Sequence, residues 1–203
     1  MKQISMILAV IFMTIPVVGF GQSVDEVEEG IGLEVGAGQN VLFWNAPFNI
    51  RTPGGVAADR THLFVTPNLR LKYTRMFSRH LQTLAFAGYH QFGGKSLEND
   101  SYTVSAVEVG TVVSVPWHQY TVGIGGKLNR HLHVRYHLGS SVWNRSAWFT
   151  DWSGDVGVRL GYSLSPWSVH GELWFGLTNL AEGNLSGATV REQHARLMLG
   201  YTF

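Results

Sequence analysis

Apolar and polar residues alternate along most of this chain, and period two marks a strand with two different faces. Between Tyr120 and Asn129, one face takes Tyr120, Val122, Ile124, Gly126 and Leu128, and the other takes Thr121, Gly123, Gly125, Lys127 and Asn129. From Trp167 to Thr178, Trp167, Val169, Gly171, Leu173, Phe175 and Leu177 stand against Ser168, His170, Glu172, Trp174, Gly176 and Thr178. The last stretch sets Ala195, Leu197, Leu199, Tyr201 and Phe203 against His194, Arg196, Met198, Gly200 and Thr202. Segments near 30–41, 63–77, 80–92, 102–115 and 153–164 read similarly, which predicts eight strands. In 80–92 the faces stay open, because Leu84 and Phe86 compete with Ala85, Ala87 and Tyr89. Residues 131–143 also admit a strand. We prefer 102–115, where Val107, Val109, Val113 and Val115 alternate with Glu108 and Ser114.

The connections alternate as well. Phe77–His80, Pro116–His118 and Ser165-Pro166 read as short turns, whereas 42–61, 93–101, 130–152 and 179–189 are longer and richer in Gly, Asn, Ser and Asp. Short turns at one end and long loops at the other describe an eight-stranded, antiparallel, up-and-down transmembrane β-barrel, an all-β fold. Closure leaves no unpaired edge in lipid, and an even strand count returns both termini to the short-turn side. A soluble, lipocalin-like barrel would turn its apolar face inward. Here the strand charges all share the face opposite the apolar one, and a cup for an apolar ligand would not bury them without partners. Tyr73, Phe77, Trp117, Tyr120, Tyr162, Trp167 and Tyr201 gather beside the short turns, as an interfacial girdle would.

The first residues carry an address. Lys2, an apolar stretch from Ile4 to Phe20, and the small residues Gly19 and Gly21 before Gln22 form a secretory signal peptide over residues 1–21. Residues 22–203 are then the exported barrel domain. The stretch is short and broken by Pro16, against the roughly 20 apolar residues that a membrane-spanning helix needs. The 203 residues include no cysteine, which excludes a disulfide scaffold, thiolate metal sites and a cysteine nucleophile. The formal net charge of +1 removes the electrostatic case for nucleic acid.

Short motifs add a resemblance. The terminal Leu199-Gly-Tyr-Thr-Phe203 resembles the closing-strand signal of outer-membrane barrels. Gly157–Tyr162, Phe175–Leu180, Gly88-Tyr89, Phe92–Gly94 and Val107–Gly110 resemble strands of the small porin-like "outer membrane protein β-barrel domain" families. The resemblance implies an outer-membrane location. It also implies that Tyr201 and Phe203 are read by the barrel-assembly machinery after escort by periplasmic chaperones. It implies lipids and lipopolysaccharide around the barrel, and lends no catalytic residue or cofactor. We expect a monomer.

The inward face is where mechanism would reside. Its ionisable residues are Glu34, Arg70, Lys72, Glu108, Lys127, Arg159, Glu172 and Arg196, with His170 and His194. Hairpin register follows from the turns. It sets Arg159 opposite Glu172, Arg196 on the other side of Glu172, Lys127 near Glu108, and Glu34 near Arg70 or Lys72. The expectation is an ion-pair ladder centred on Glu172, filling a lumen that eight strands make only wide enough for side chains. The ladder serves as a structural plug or, as the alternative, lines a narrow ion path.

Other chemistry is thinner. His131, His133 and His137 form a candidate zinc, copper or nickel site, with His131 and His133 on one side of an extended segment. A lipid A-modifying hydrolase would need a serine activated by a histidine. His137 with Ser140 or Ser141, and His170 with Glu172, do not match that arrangement. Gly36, Gly38, Gly123 and Gly125 lack the helix that a phosphate loop needs, and are expected to relieve crowding in a narrow barrel. Trp143, Trp148, Phe149 and Trp152, with Phe43, Trp44 and Phe48, suit either the outer girdle or a binding tip. The expectation is a non-catalytic surface protein with a structural or adhesive role and four loops. A narrow channel or small-solute transporter is the alternative, and a lipid-modifying enzyme comes third.

Overall fold

The computed structural model describes residues 29–45, 65–95, 101–138, 140–144, 146–182 and 189–203. The expected signal peptide lies outside them, as does most of the expected loop at 42–61. The strands are β1 (Glu29–Asn45), β2 (Val65–Ser78), β3 (Leu81–Lys95), β4 (Ser101–Trp117), β5 (Tyr120–Leu138), β6 (Ser141–Asn144), β7 (Trp152–Leu164), β8 (Trp167–Gly176) and β9 (Thr189–Thr202). Neighbours pair antiparallel around a ring that β1 closes on β9, and β5 passes directly to β7. Eight strands therefore make the barrel. The short β6 pairs only with the outer end of β5, over Arg135–Leu138.

Three two-residue turns, at Arg79-His80, His118-Gln119 and Ser165-Pro166, mark one end. The middle turn sits later than its sequence suggests, because Pro116 and Trp117 still pair with Thr121 and Tyr120. His118 takes φ 57° there.

The outer face is apolar over a defined height. On β4 the outward Val107, Val109, Val113, Val115 and Trp117 are all well exposed. Ten residue steps at about 3.3 Å each, tilted by about 40°, span about 25 Å, the height of a lipid-facing band. Tyr120 packs on Tyr162 at 5.1 Å and Trp167 on Tyr201 at 4.9 Å beside the short turns, forming a girdle at that edge. Leu84 and Phe86 turn inward, which decides the open faces of β3.

Beyond Val107 the polarity reverses without a change of parity. Ser101, Thr103 and Ser105 point outward, whereas Tyr102, Val104 and Ala106 are buried inside. Water surrounds this part of the barrel in a membrane, so the hydrophobic effect drives apolar side chains inward, as in a soluble barrel.

Residues 131–138 continue β5 and Ser141–Asn144 form β6, so the expected loop at 130–152 is largely strand in its first half, while 102–115 remains a strand and the barrel count stays at eight. A bulge lies between β4 and β5. Ala106 pairs with His131 and Ser105 with His133, so Leu132 is the extra residue. The bulge shifts the parity of β5, and Val134 and Tyr136 join the interior.

Glycines line the narrow interior. A Cβ at Gly157 would stand 2.5 Å from the Trp174 ring, its cross-strand neighbour, so its absence is what lets the indole lie inside the barrel. A Cβ at Gly36 would stand 2.5 Å from the Met198 sulfur.

Candidate functional site

All eight inward charges read from the sequence are buried in the lumen, Arg159 being the most accessible at 8%. Their alternation on β1, β2, β4, β5, β7, β8 and β9 aims them at a common axis.

The hub of the network is Arg70. Its guanidinium contacts Glu34 and Glu172 and lies 3.9 Å from Glu108, and it stacks over the Phe86 ring at 4.4 Å. Arg159 spans the same two acids, at 2.8 Å from Glu172 and 2.8 Å from Glu34. Glu34 also takes His170 at 3.0 Å and Lys72 at 3.5 Å. Trp174 donates its indole N–H to Glu172 at 2.9 Å. Glu172 therefore sits between two arginines, but these are Arg70 and Arg159. Arg196, paired with Glu172 in the β8–β9 register, turns its side chain to Glu108 at 2.9 Å. This corrects the expected place of Arg196 in the ladder: Arg159 does bond its register neighbour Glu172 and Arg70 its register neighbour Glu34, but Glu172 is already taken by Arg70 and Arg159, and Arg196 reaches across the lumen to Glu108 instead.

Glu108 anchors a second layer. Lys127 reaches it at 2.9 Å and also lies 3.2 Å from Asp155. Asn129 donates to Asp155 at 2.8 Å, to Ser153 at 3.1 Å and to Glu192 at 3.1 Å. His90 lies 3.1 Å from Glu108. Asp155, Glu192 and His90 were missed as interior groups, whereas Asn129 lies on the inward face of Lys127 as expected. Asp155 shares the parity of Arg159, and Glu192 that of Arg196, so strict counting along β7 and a longer β9 would have found both acids. They bring the buried acids level with the five buried lysines and arginines.

An apolar plug closes the loop end above these layers. Phe92, Tyr102, Val104, Ala106, Val134, Tyr136, Trp148, Phe149, Leu180 and Val190 form one buried cluster. Trp148 and Phe149, at 9% and 2% exposure, are neither girdle nor binding tip. Their segment folds back over the mouth and is clasped to residues 180–182: Thr150 N–H donates to the Leu180 carbonyl and Glu182 N–H to the Trp148 carbonyl, each at 2.9 Å. An open bowl of apolar side chains facing water would be unfavourable, and burying each aromatic ring stabilises the closed form by about 2–3 kcal/mol. Trp143 and Trp152 remain outside, at 38% and 52% exposure. Phe48 lies outside the described residues.

The expected histidine metal trio does not assemble. The bulge at Leu132 turns His133 outward while His131 stays inside, hydrogen-bonded to the Thr150 carbonyl and 3.1 Å from Ser153 Oγ. No group of three or more metal-ligating side chains occurs among the described residues. The His131–Ser153 contact is part-buried, and the Phe92 ring lies 5.5 Å from that of His131. Tyr201 near the end of β9 and Phe203 just beyond it lie at the turn end, their rings 5.5 Å apart.

These features define a class: an eight-stranded transmembrane β-barrel whose lumen is filled by a buried ion network and capped by an apolar plug. No protein-family model matches the chain, and no curated protein matches it. Among solved structures it is similar to Ail, the attachment invasion locus protein of Yersinia pestis, with 13% identity over 87% of this chain and 99% of that one, at a TM-score of 0.47. It is similar to Neisserial surface protein A, with 10% identity over 85% and 97% of the two chains, at 0.49. Similarity to the outer membrane protein OprG of Pseudomonas aeruginosa is 11% over 88% and 97%, at 0.42.

Proposed function

We propose that this chain is an exported outer-membrane barrel that conducts nothing, catalyses nothing, and acts through its loop end in a structural or adhesive role at the cell surface. The observation that supports this reading is the double closure of the lumen. The Arg70-centred network blocks the middle, and Trp148 and Phe149 block the mouth. Outside the plug, Val142, Trp143 and Trp152 stay exposed on the β5–β6 hairpin and at the start of β7, where a surface partner would meet them. On this reading the barrel is a monomer. Its apolar band is wetted by lipid and lipopolysaccharide, and assembly factors read its last strand during export.

Planar-bilayer recording of the refolded protein, with Glu172→Gln alongside, tests the closure. A silent bilayer with folded protein is expected of both. Discrete steps altered by the substitution would overturn the reading in favour of a narrow channel. The loop role is tested by deleting Ser141–Asn144. Cells carrying the shortened but folded barrel are expected to lose surface attachment that the intact protein confers.

A further inference from the structure

The lumen is closed only from the loop side. At the short-turn end a cavity of about 420 Å³ opens between the strands, with Lys72, Arg159 and His170 toward its floor and hydroxyls such as Ser163 and Ser168 along its wall. Nothing in the plugged-barrel reading uses this space.

Lys72 is the cation of the network that is held most loosely. Arg70, Lys127, Arg159 and Arg196 each make a carboxylate contact of 2.9 Å or less. Lys72 Nζ lies 3.5 Å from Glu34 and 3.4 Å from Ser168 Oγ. An ammonium carries three N–H donors, and two long contacts leave donor capacity unspent. Glu34 is shared among Lys72, Arg70, Arg159 and His170, the last three at shorter range. At this end of the network two acids, Glu34 and Glu172, face three cations, Arg70, Arg159 and Lys72.

The wall is hollowed where Lys72 ends. A Cβ at Gly200 would stand 3.0 Å from its Nζ and 2.5 Å from Ser168 Oγ, and one at Gly32 would stand 2.7 Å from its Cε. Two glycines on two different strands thus keep room for an ammonium beside the cavity instead of a packed wall. A buried charged donor at the floor of an open, hydroxyl-lined recess suits an anion, since charge-assisted hydrogen bonds are shorter and stronger than neutral ones.

We propose that the short-turn cavity binds a small oxyanion of phosphate size, with Lys72 as its charged contact and the Ser168 hydroxyl as a hydrogen-bond donor.

The test is calorimetric titration of inorganic phosphate into the refolded protein in a maltoside detergent, which carries no phosphate of its own. Saturable binding is expected of the intact protein and of Arg130→Gln, which alters only the outer face. Lys72→Gln is expected to weaken it by about tenfold or more. Ser163→Glu places a carboxylate at the cavity rim without touching the network and is expected to do the same, so it decides the matter if Lys72→Gln does not fold. Competition by a short-chain phosphatidylglycerol would support the site and name a lipid headgroup as its source, whereas competition by sulfate alone would name a free ion. Absence of saturable binding by the intact protein, or undiminished binding by both folded variants, would overturn the proposal.

Discussion

Arg196 stands opposite Glu172 in the β8–β9 register, yet its guanidinium reaches Glu108, a residue of β4, at 2.9 Å. Arg70 and Arg159 each bond the acid beside them in the register, Glu34 and Glu172, whereas Arg196 is neutralised across the lumen. A double-mutant cycle separates the two relationships. Glu108→Gln with Arg196→Gln is expected to show coupling of about 1 kcal/mol or more, while Glu172→Gln with Arg196→Gln shows less, read from urea unfolding in lipid vesicles. Equal coupling in the two cycles would contradict the assignment.

Removing the acid between two arginines should be costly. Glu172→Leu leaves Arg70 and Arg159 to share Glu34, one buried positive charge in excess, and breaking a buried pair in this way destabilises by about 3–5 kcal/mol. The same unfolding assay measures it, and a loss below about 1 kcal/mol would show that the lumen admits water around the network.

The reversal of polarity along β4 predicts opposite tolerance at two outward positions. Val113→Arg lies in the apolar band and should cost about 2–4 kcal/mol. Thr103→Arg lies beyond the band and should change stability by less than about 0.5 kcal/mol. Similar costs at both sites would place lipid where we place water.

The four aromatics near the mouth should divide in pairs. Phe149→Ala empties the buried plug and should cost about 3–5 kcal/mol. Trp152→Ala removes a half-exposed ring and should cost under about 1 kcal/mol. Folded Phe149→Ala should still give a silent bilayer, because the ion network beneath is intact.

Zinc titrated into the folded protein should release no heat attributable to His131, His133 and His137. The bulge at Leu132 holds His131 inside and His133 outside, and a shared ion would require the bulge to be undone. A stoichiometric signal lost in His133→Ala would show that it is.

Alternation along each strand was enough to reveal eight strands, the inward and outward faces of all but 80–92, and eight charges of the interior, because period two is a local property of extended backbone. It was enough for Arg159 opposite Glu172, since a two-residue turn sets that register. It did not reveal which charges meet across the lumen, because Arg70, Glu172 and Glu108 come from three strands far apart in the chain and converge only when β1 closes on β9. It did not reveal the plug either. Tyr102, Val104, Val134 and Tyr136 look out of place on a charged inward face until water, instead of lipid, surrounds that part of the barrel. Local pattern decides which way a side chain points; ring closure and the change of solvent along the barrel axis decide what it meets.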